Sequence, residues 1–230
     1  MPDEPSSLQA VSRRLSVRNG WGRTSERTHL VSALTGADYL SLIALFVAWV
    51  STLLFLSNEP NWAILTMFVA FLLDKLDGYW ARRTGTTSAF GRQIDSFIDI
   101  FAYLVTGALL FHLELAPNVV ASAVVGFAIL AFGGLRLIRH NSEGFESHAS
   151  VSYYHGTTVV HTSVVVLANY VAIHLLGFWS GWLATALVLL STPLMISEYR
   201  APKTVTAHVL LGVLAVGIGG VCLGLEFGYL

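Results

Sequence analysis

Seven apolar runs separated by short polar breaks dominate the chain, at approximately 36–56, 61–82, 91–115, 117–138, 155–177, 179–197 and 204–226. As helices rising about 1.5 Å per residue, most are long enough to cross roughly 30 Å of hydrocarbon. The breaks fall at Ser57-Asn58-Glu59-Pro60-Asn61, Arg83 to Phe90, Ala116-Pro117-Asn118, His140 to Ser152, near Gly177, and at Tyr199 to Lys203. The pattern predicts an all-α fold: a polytopic integral membrane helix bundle of about seven spans, forming one domain over 33–230. The preceding tail, 1–32, is polar and lacks the apolar core of a cleaved signal peptide. Within it Leu8, Val11 and Leu15, flanked by Arg13, Arg14, Arg18 and Trp21, suit either an amphipathic helix on the lipid surface or a disordered tail.

Composition agrees with a membrane protein. Of 230 residues 54% are hydrophobic and 12% charged, with mean hydropathy +0.65, whereas soluble domains carry about 25% charged residues. A net charge of −1 without a basic patch gives no reason to expect nucleic-acid binding. The single Cys222 excludes an intramolecular disulfide and a cysteine-based metal site. With the spans as drawn, all 13 Lys and Arg residues fall on one side. The positive-inside rule makes that side cytoplasmic, so the expected placement is a multi-pass protein of the cell membrane with a cytoplasmic N-terminus. Trp49, Trp62, Trp80, Trp179 and Trp182 read as interface anchors or packing, and Gly220 and Gly224 form a G-x-x-x-G step suited to close helix approach.

Against this apolar background stands one ordered polar constellation. Asp74, Asp77, Gly78, Ala81, Arg82, Gly91, Asp95 and Asp99 follow the spacing D-x-x-D-G-x-x-A-R-(x₈)-G-x-x-x-D-x-x-x-D. Each Asp at the centre of a membrane helix costs roughly 2.5–3.5 kcal/mol, so unpaired they would cost on the order of 10 kcal/mol. Asp74 and Asp77 are i,i+3 and Asp95 and Asp99 are i,i+4, so each pair projects from one helical face. Two divalent cations would neutralise the cluster. Hard oxygen donors without His or Cys favour Mg²⁺ or Mn²⁺, and such sites usually take substrate phosphates as well. Gly78 leaves room for a ligand beside the backbone, and Arg82, four residues on, has a fork suited to a phosphate. Phosphoryl-type chemistry on a diphosphate fits these parts. A divalent-cation transporter and a catalytically silent membrane scaffold are the alternatives of another class.

The constellation resembles, at all eight fixed positions, the signature of the CDP-alcohol phosphatidyltransferases. That resemblance implies a homodimeric enzyme that transfers a phosphatidyl group from a CDP-linked lipid, such as CDP-diacylglycerol or an ether-lipid equivalent, to an alcohol, releasing CMP. It implies Asp74, Asp77 and Asp95 as metal ligands, Asp99 as general base and ligand, and Gly78, Arg82 and Ser88 as contacts for the donor. Thr35-Gly36-Ala37-Asp38, Gly134 to Asn141, and Leu194 to Ser197 through Pro202-Lys203 are similar to segments of the bacterial and archaeal membrane-type phosphatidylserine synthases. Serine is therefore the expected acceptor, with glycerol 3-phosphate, inositol phosphate or choline as the runner-up. Arg136 and Arg139, three apart on one face, are candidates for the serine carboxylate or a donor phosphate; the alternative for both is positive-inside anchoring. Asp38 reads as a cap of the first span in preference to a substrate contact. Where that subfamily usually has a Gly-Leu-Pro-type segment, this chain reads Tyr154-His155-Gly156-Thr157-Thr158-Val159-Val160-His161. His155 and His161 are six apart and do not share a helical face, so no joint metal site is expected of them.

Overall fold

The computed structural model describes residues 34–143, 146–148, 151–202 and 205–230. The tail 1–32, with its candidate amphipathic helix, lies outside the described residues. Helix α1 (Gly36–Leu56) starts where Thr35 takes an extended backbone and forms a reciprocal capping box with Asp38, whose carboxylate accepts from the Thr35 N–H at 2.7 Å. Helix α2 (Pro60–Thr84) opens on a proline, which has no N–H to leave unpaired, and stops at Gly85, whose φ of +68° suits a residue without a Cβ. Helix α3 (Ala89–Asp99) is capped by Ser88, whose hydroxyl accepts from the Gly91 N–H at 2.8 Å.

The third span then changes pitch. It passes through a π-helical segment Ile100–Val105, the short α4 (Thr106–Leu110) and a second π segment, Phe111–Leu115. Next come α5 (Val119–Glu143), α6 (Val159–Leu175), α7 (Gly181–Ser191) running into a 3₁₀ turn at Thr192–Ile196, and α8 (Val205–Glu226). Between them lies an antiparallel sheet of three short strands, β1 (Glu146–His148), β2 (Val151–His155) and β3 (Arg200–Pro202), with Tyr153 opposite both Glu146 and Pro202.

Helices therefore occupy all seven expected spans, and the small sheet is an addition to the all-α bundle. Four helices, Gly36–Leu56, Phe90–Leu115, Val119–Ser142 and Val209–Glu226, are long and apolar enough to cross a membrane; Val159–Leu175 and Gly181–Ile196 are shorter apolar helices. Helix α2 is long, but every 18-residue stretch of it contains Asp74, Lys75 and Asp77. The fifth run starts later than expected, at Val159, because residues 151–155 pair as a strand. Outward-facing Phe46, Phe127, Leu190 and Val216 are all exposed, as befits an integral membrane protein whose outer surface meets lipid.

The seam that matters most joins α1 to α2. Ala37, Ser41, Ala44, Ala48 and Ser51 recur at steps of four and three residues, and all are buried. Ala63, Met67, Ala70, Asp74 and Asp77 repeat those steps on α2, also buried. Small side chains at this period let two helices approach closely along a coiled-coil-like line. Ser51 Oγ consequently reaches the Ala63 carbonyl at 2.8 Å, and near the other end Ser41 Oγ meets the Asp77 carboxylate. On α5, Gly133 does similar work, since a Cβ there would lie 2.4 Å from Leu104 Cδ2.

At the end of the bundle away from Asp77, Glu226 of α8 accepts from Trp62 Nε1 at 2.8 Å and from Asn61 Nδ2 at 3.1 Å, while the Tyr170 hydroxyl donates to Asn61 Oδ1 at 2.8 Å. These bonds tie α2, α6 and α8 together.

Candidate active site

Four carboxylates converge from the second half of α2, which carries Asp74 and Asp77, and the last turns of α3, which carry Asp95 and Asp99. Asp77 is 2% exposed and Asp74 8%; both lie on the α2 face turned to α1 and the third span. Ser41 Oγ donates to Asp77 Oδ2. Asp74 Oδ2 holds Lys75 Nζ at 3.0 Å and faces the Tyr103 hydroxyl at 3.5 Å, the outer edge of hydrogen bonding. Lys75 also lies over the Phe71 ring, 5.2 Å from its centroid, and Phe71 packs edge-on against Tyr103. The π segment directly after Asp99 carries Tyr103, so the local change in pitch sits beside the cluster, a recurrent association in functional sites.

Asp95 and Asp99 complete the group from α3, both half-buried. The charges acting on Asp95 come from Asp74, Asp38, Lys75 and Arg82, and those acting on Asp99 from Asp74, Lys75, Arg136 and Asp95. Asp38 thus belongs to the site as well as to the α1 cap. Its Oδ1 lies where a Cβ on Gly91 would approach within 3.2 Å, so Gly91 allows α3 to close on the start of α1.

Arg82 and Gly78 are side by side: the guanidinium folds back so that a Cβ on Gly78 would meet Nη1 at 3.2 Å. Ser88 serves as the α3 cap described above. The two arginines of α5 part company. Arg136 is 6% exposed and within electrostatic reach of Asp99 and His161. Arg139 instead donates to the carbonyls of Ile196 at 3.0 Å, Ser197 at 3.3 Å and Met195 at 3.4 Å, closing the end of the 3₁₀ turn. His161 sits in the first turn of α6 with Nδ1 2.7 Å from Thr158 Oγ1, whereas His155 is the last residue of β2; the two do not meet in one element.

The donor set suits a hard divalent cation. Five carboxylates, Asp38, Asp74, Asp77, Asp95 and Asp99, face the three cations Lys75, Arg82 and Arg136, leaving an excess of negative charge in a largely buried place. Among the described residues no three His, Cys, Asp or Glu side chains are drawn together tightly enough to chelate an ion; Asp74 turns to Lys75 and Asp77 to Ser41. Oxygen chemistry and charge therefore fit Mg²⁺ or Mn²⁺.

Three neighbours of the cluster were not singled out from sequence: Ser41, Lys75 and Tyr103. Ser41 carried a readable signal, the small-residue stripe of α1 at the same four-and-three steps as Asp74 and Asp77 on α2. For Tyr103 and Lys75 position alone gives none.

Fold and site define a polytopic helical membrane protein with a buried, acidic polar centre between its second and third spans. Residues 34–197 match the CDP-alcohol phosphatidyltransferase family, and the chain belongs to it. It is an enzyme of phosphatidyl transfer from a CDP-alcohol in phospholipid biosynthesis, and the family is in general dependent on a divalent metal. The chain is 28% identical to archaetidylserine synthase of Methanothermobacter thermautotrophicus over 178 residues, 76% of this chain and 72% of that protein. It is 30% identical to CDP-diacylglycerol–serine O-phosphatidyltransferase of Methanocaldococcus jannaschii over 115 residues, 49% of this chain and 53% of the relative. It is 38% identical to the Helicobacter pylori protein of the latter name over 76 residues, 31% of each chain. Family membership decides for the enzyme over the transporter and the scaffold.

Proposed function

We propose that this protein transfers the phosphatidyl group of CDP-diacylglycerol, or of an ether-lipid equivalent, to the hydroxyl of serine and releases CMP. The observation that carries the acceptor side is the buried Arg136 within electrostatic reach of Asp99, supported by the serine in the names of the relatives. Arg136 supplies a fixed positive charge for the serine carboxylate, which sets the serine hydroxyl toward Asp99. Asp99 takes the hydroxyl proton while the serine oxygen bonds to the lipid-bearing phosphorus and the bond from that phosphorus to CMP breaks. Arg82, lying over Gly78, holds a phosphate of the donor, and Ser88 lies alongside as the α3 cap. Asp74, Asp77, Asp95 and Asp99 would hold Mg²⁺ or Mn²⁺, two ions in this reading. When bound, these ions supply positive charge that positions the diphosphate and offsets charge developing on it. The acceptor role expected for Arg139 passes to Arg136 alone, because the Arg139 guanidinium spans three carbonyls.

The reading places the site on the cytoplasmic face of the cell membrane, where all 13 basic residues fall, and makes the protein a homodimer like its family. Purified protein supplied with CDP-diacylglycerol, Mg²⁺ or Mn²⁺ and a panel of alcohols tests it by CMP release and product identity. Serine is expected to give the largest signal, and Asp99→Asn to lower it by at least about 10³-fold. Turnover with glycerol 3-phosphate, inositol phosphate or choline and none with serine would reject the acceptor while leaving the reaction class standing.

A further inference from the structure

We propose that Ser41 is a positioning residue for the metal centre: its hydroxyl fixes the carboxylate of Asp77 from across the α1–α2 seam. The inference rests on the reading of Asp77 as a metal ligand. Ser41 is 2% exposed, as is Asp77, so bulk water does not compete for their contact. The Ser41 hydroxyl has one proton and two acceptors in reach, Asp77 Oδ2 and the Ala37 carbonyl at 3.1 Å. With Asp77 ionised, as a metal ligand must be, its carboxylate is the stronger acceptor and takes the proton's bond, since a hydrogen bond to an ionised group is roughly twice as strong as one between neutral groups. A further donor beside the carboxylate is the Gly78 N–H of its own helix. Ser41 is thus the contact that relates Asp77 to a second helix.

The seam makes this contact specific. Ala37, Ala44 and Ala48 bring the two backbones close on either side of Ser41, so the serine oxygen reaches Asp77 without a long, flexible side chain. A metal ligand oriented by an outer hydrogen bond loses its preset geometry when that bond goes, which typically costs 10–100-fold in metal affinity. Ser51, two turns and more along the same stripe, donates to the Ala63 carbonyl instead; it makes a helix-to-helix bond of the same kind with no carboxylate at its end.

That pairing gives the test. Mn²⁺ binding to the purified full-length protein is followed by the electron paramagnetic resonance signal of free Mn²⁺, without substrate, for wild type, Ser41→Ala, Ser51→Ala and Asp77→Asn, with thermal unfolding measured in parallel. Ser41→Ala removes one oxygen and adds nothing to accommodate, so the fold is kept. It is expected to weaken Mn²⁺ binding at least about ten-fold and to raise the Mn²⁺ needed for half-maximal CMP release, while Ser51→Ala leaves Mn²⁺ affinity at the wild-type value. Equal Mn²⁺ affinity in wild type and Ser41→Ala, with Asp77→Asn weakened, overturns the role of Ser41 and leaves the metal reading intact. An equal loss in Ser51→Ala also overturns it, by making the effect one of general seam stability. Unchanged binding in Asp77→Asn overturns the metal reading itself.

Discussion

Arg136 and Arg139 share a helical face and a charge, yet their surroundings give them different work. Arg136 is buried toward Asp99, whereas Arg139 gathers the last carbonyls of the 3₁₀ turn. Arg136→Ala is therefore expected to raise KM for serine at least about ten-fold, because in the proposed function it removes the charge that meets the acceptor carboxylate. Arg139→Ala is expected to show a stability loss of about 1–3 kcal/mol from three unsatisfied carbonyls with KM nearly unchanged. Steady-state kinetics on both variants, with unfolding curves, separates the two; a matched KM effect would contradict the division. Sequence showed the carboxylates of this site because four Asp residues at helical spacing stand out in an apolar chain. Ser41 was legible only through the small-residue stripe of α1, and Lys75 and Tyr103 not at all, since lysine and tyrosine are ordinary residues until the fold brings them to a carboxylate. The carbonyl partners of Arg139 were not legible for a related reason: they lie more than fifty residues away.

Among the elements, the long apolar helices were legible because hydropathy and length suffice, and the first span runs over 36–56 as the pattern predicts. The start of α6 was not. Its polar lead-in is shaped by pairing with residues near 200, where β2 meets β3 and the Gly156 N–H donates to the Tyr199 carbonyl at 2.7 Å. Gly156 has φ +71°, and a Cβ there would stand 2.4 Å from the Met195 carbonyl oxygen. The Thr157 N–H, at 3.0 Å from the Leu194 carbonyl, fastens the same turn. This is the segment in which the chain departs from the Gly-Leu-Pro pattern, and the glycine it retains is the one the backbone requires. Gly156→Ala is expected to cost about 2 kcal/mol or more, from left-handed backbone and contact with a carbonyl that has no flexible end to move. A thermal unfolding midpoint equal to that of wild type would show that the turn can be rebuilt without a glycine.

For the molecule as a whole, the account joins a lipid-facing bundle to a buried acidic centre at one of its ends. The apolar exterior keeps the protein in the bilayer, and the small-residue seam between α1 and α2 brings Ser41 to Asp77 while Asp38 and Gly91 close α1 on α3. In the proposed function the excess of carboxylates over Lys75, Arg82 and Arg136 is met by divalent cations. Their presence is measured most directly by anomalous diffraction from crystals grown with Mn²⁺ and CDP-diacylglycerol. The account predicts Mn²⁺ peaks enclosed by Asp74, Asp77, Asp95 and Asp99 with the donor diphosphate against them; a bound donor with no Mn²⁺ peak among these four carboxylates would contradict it.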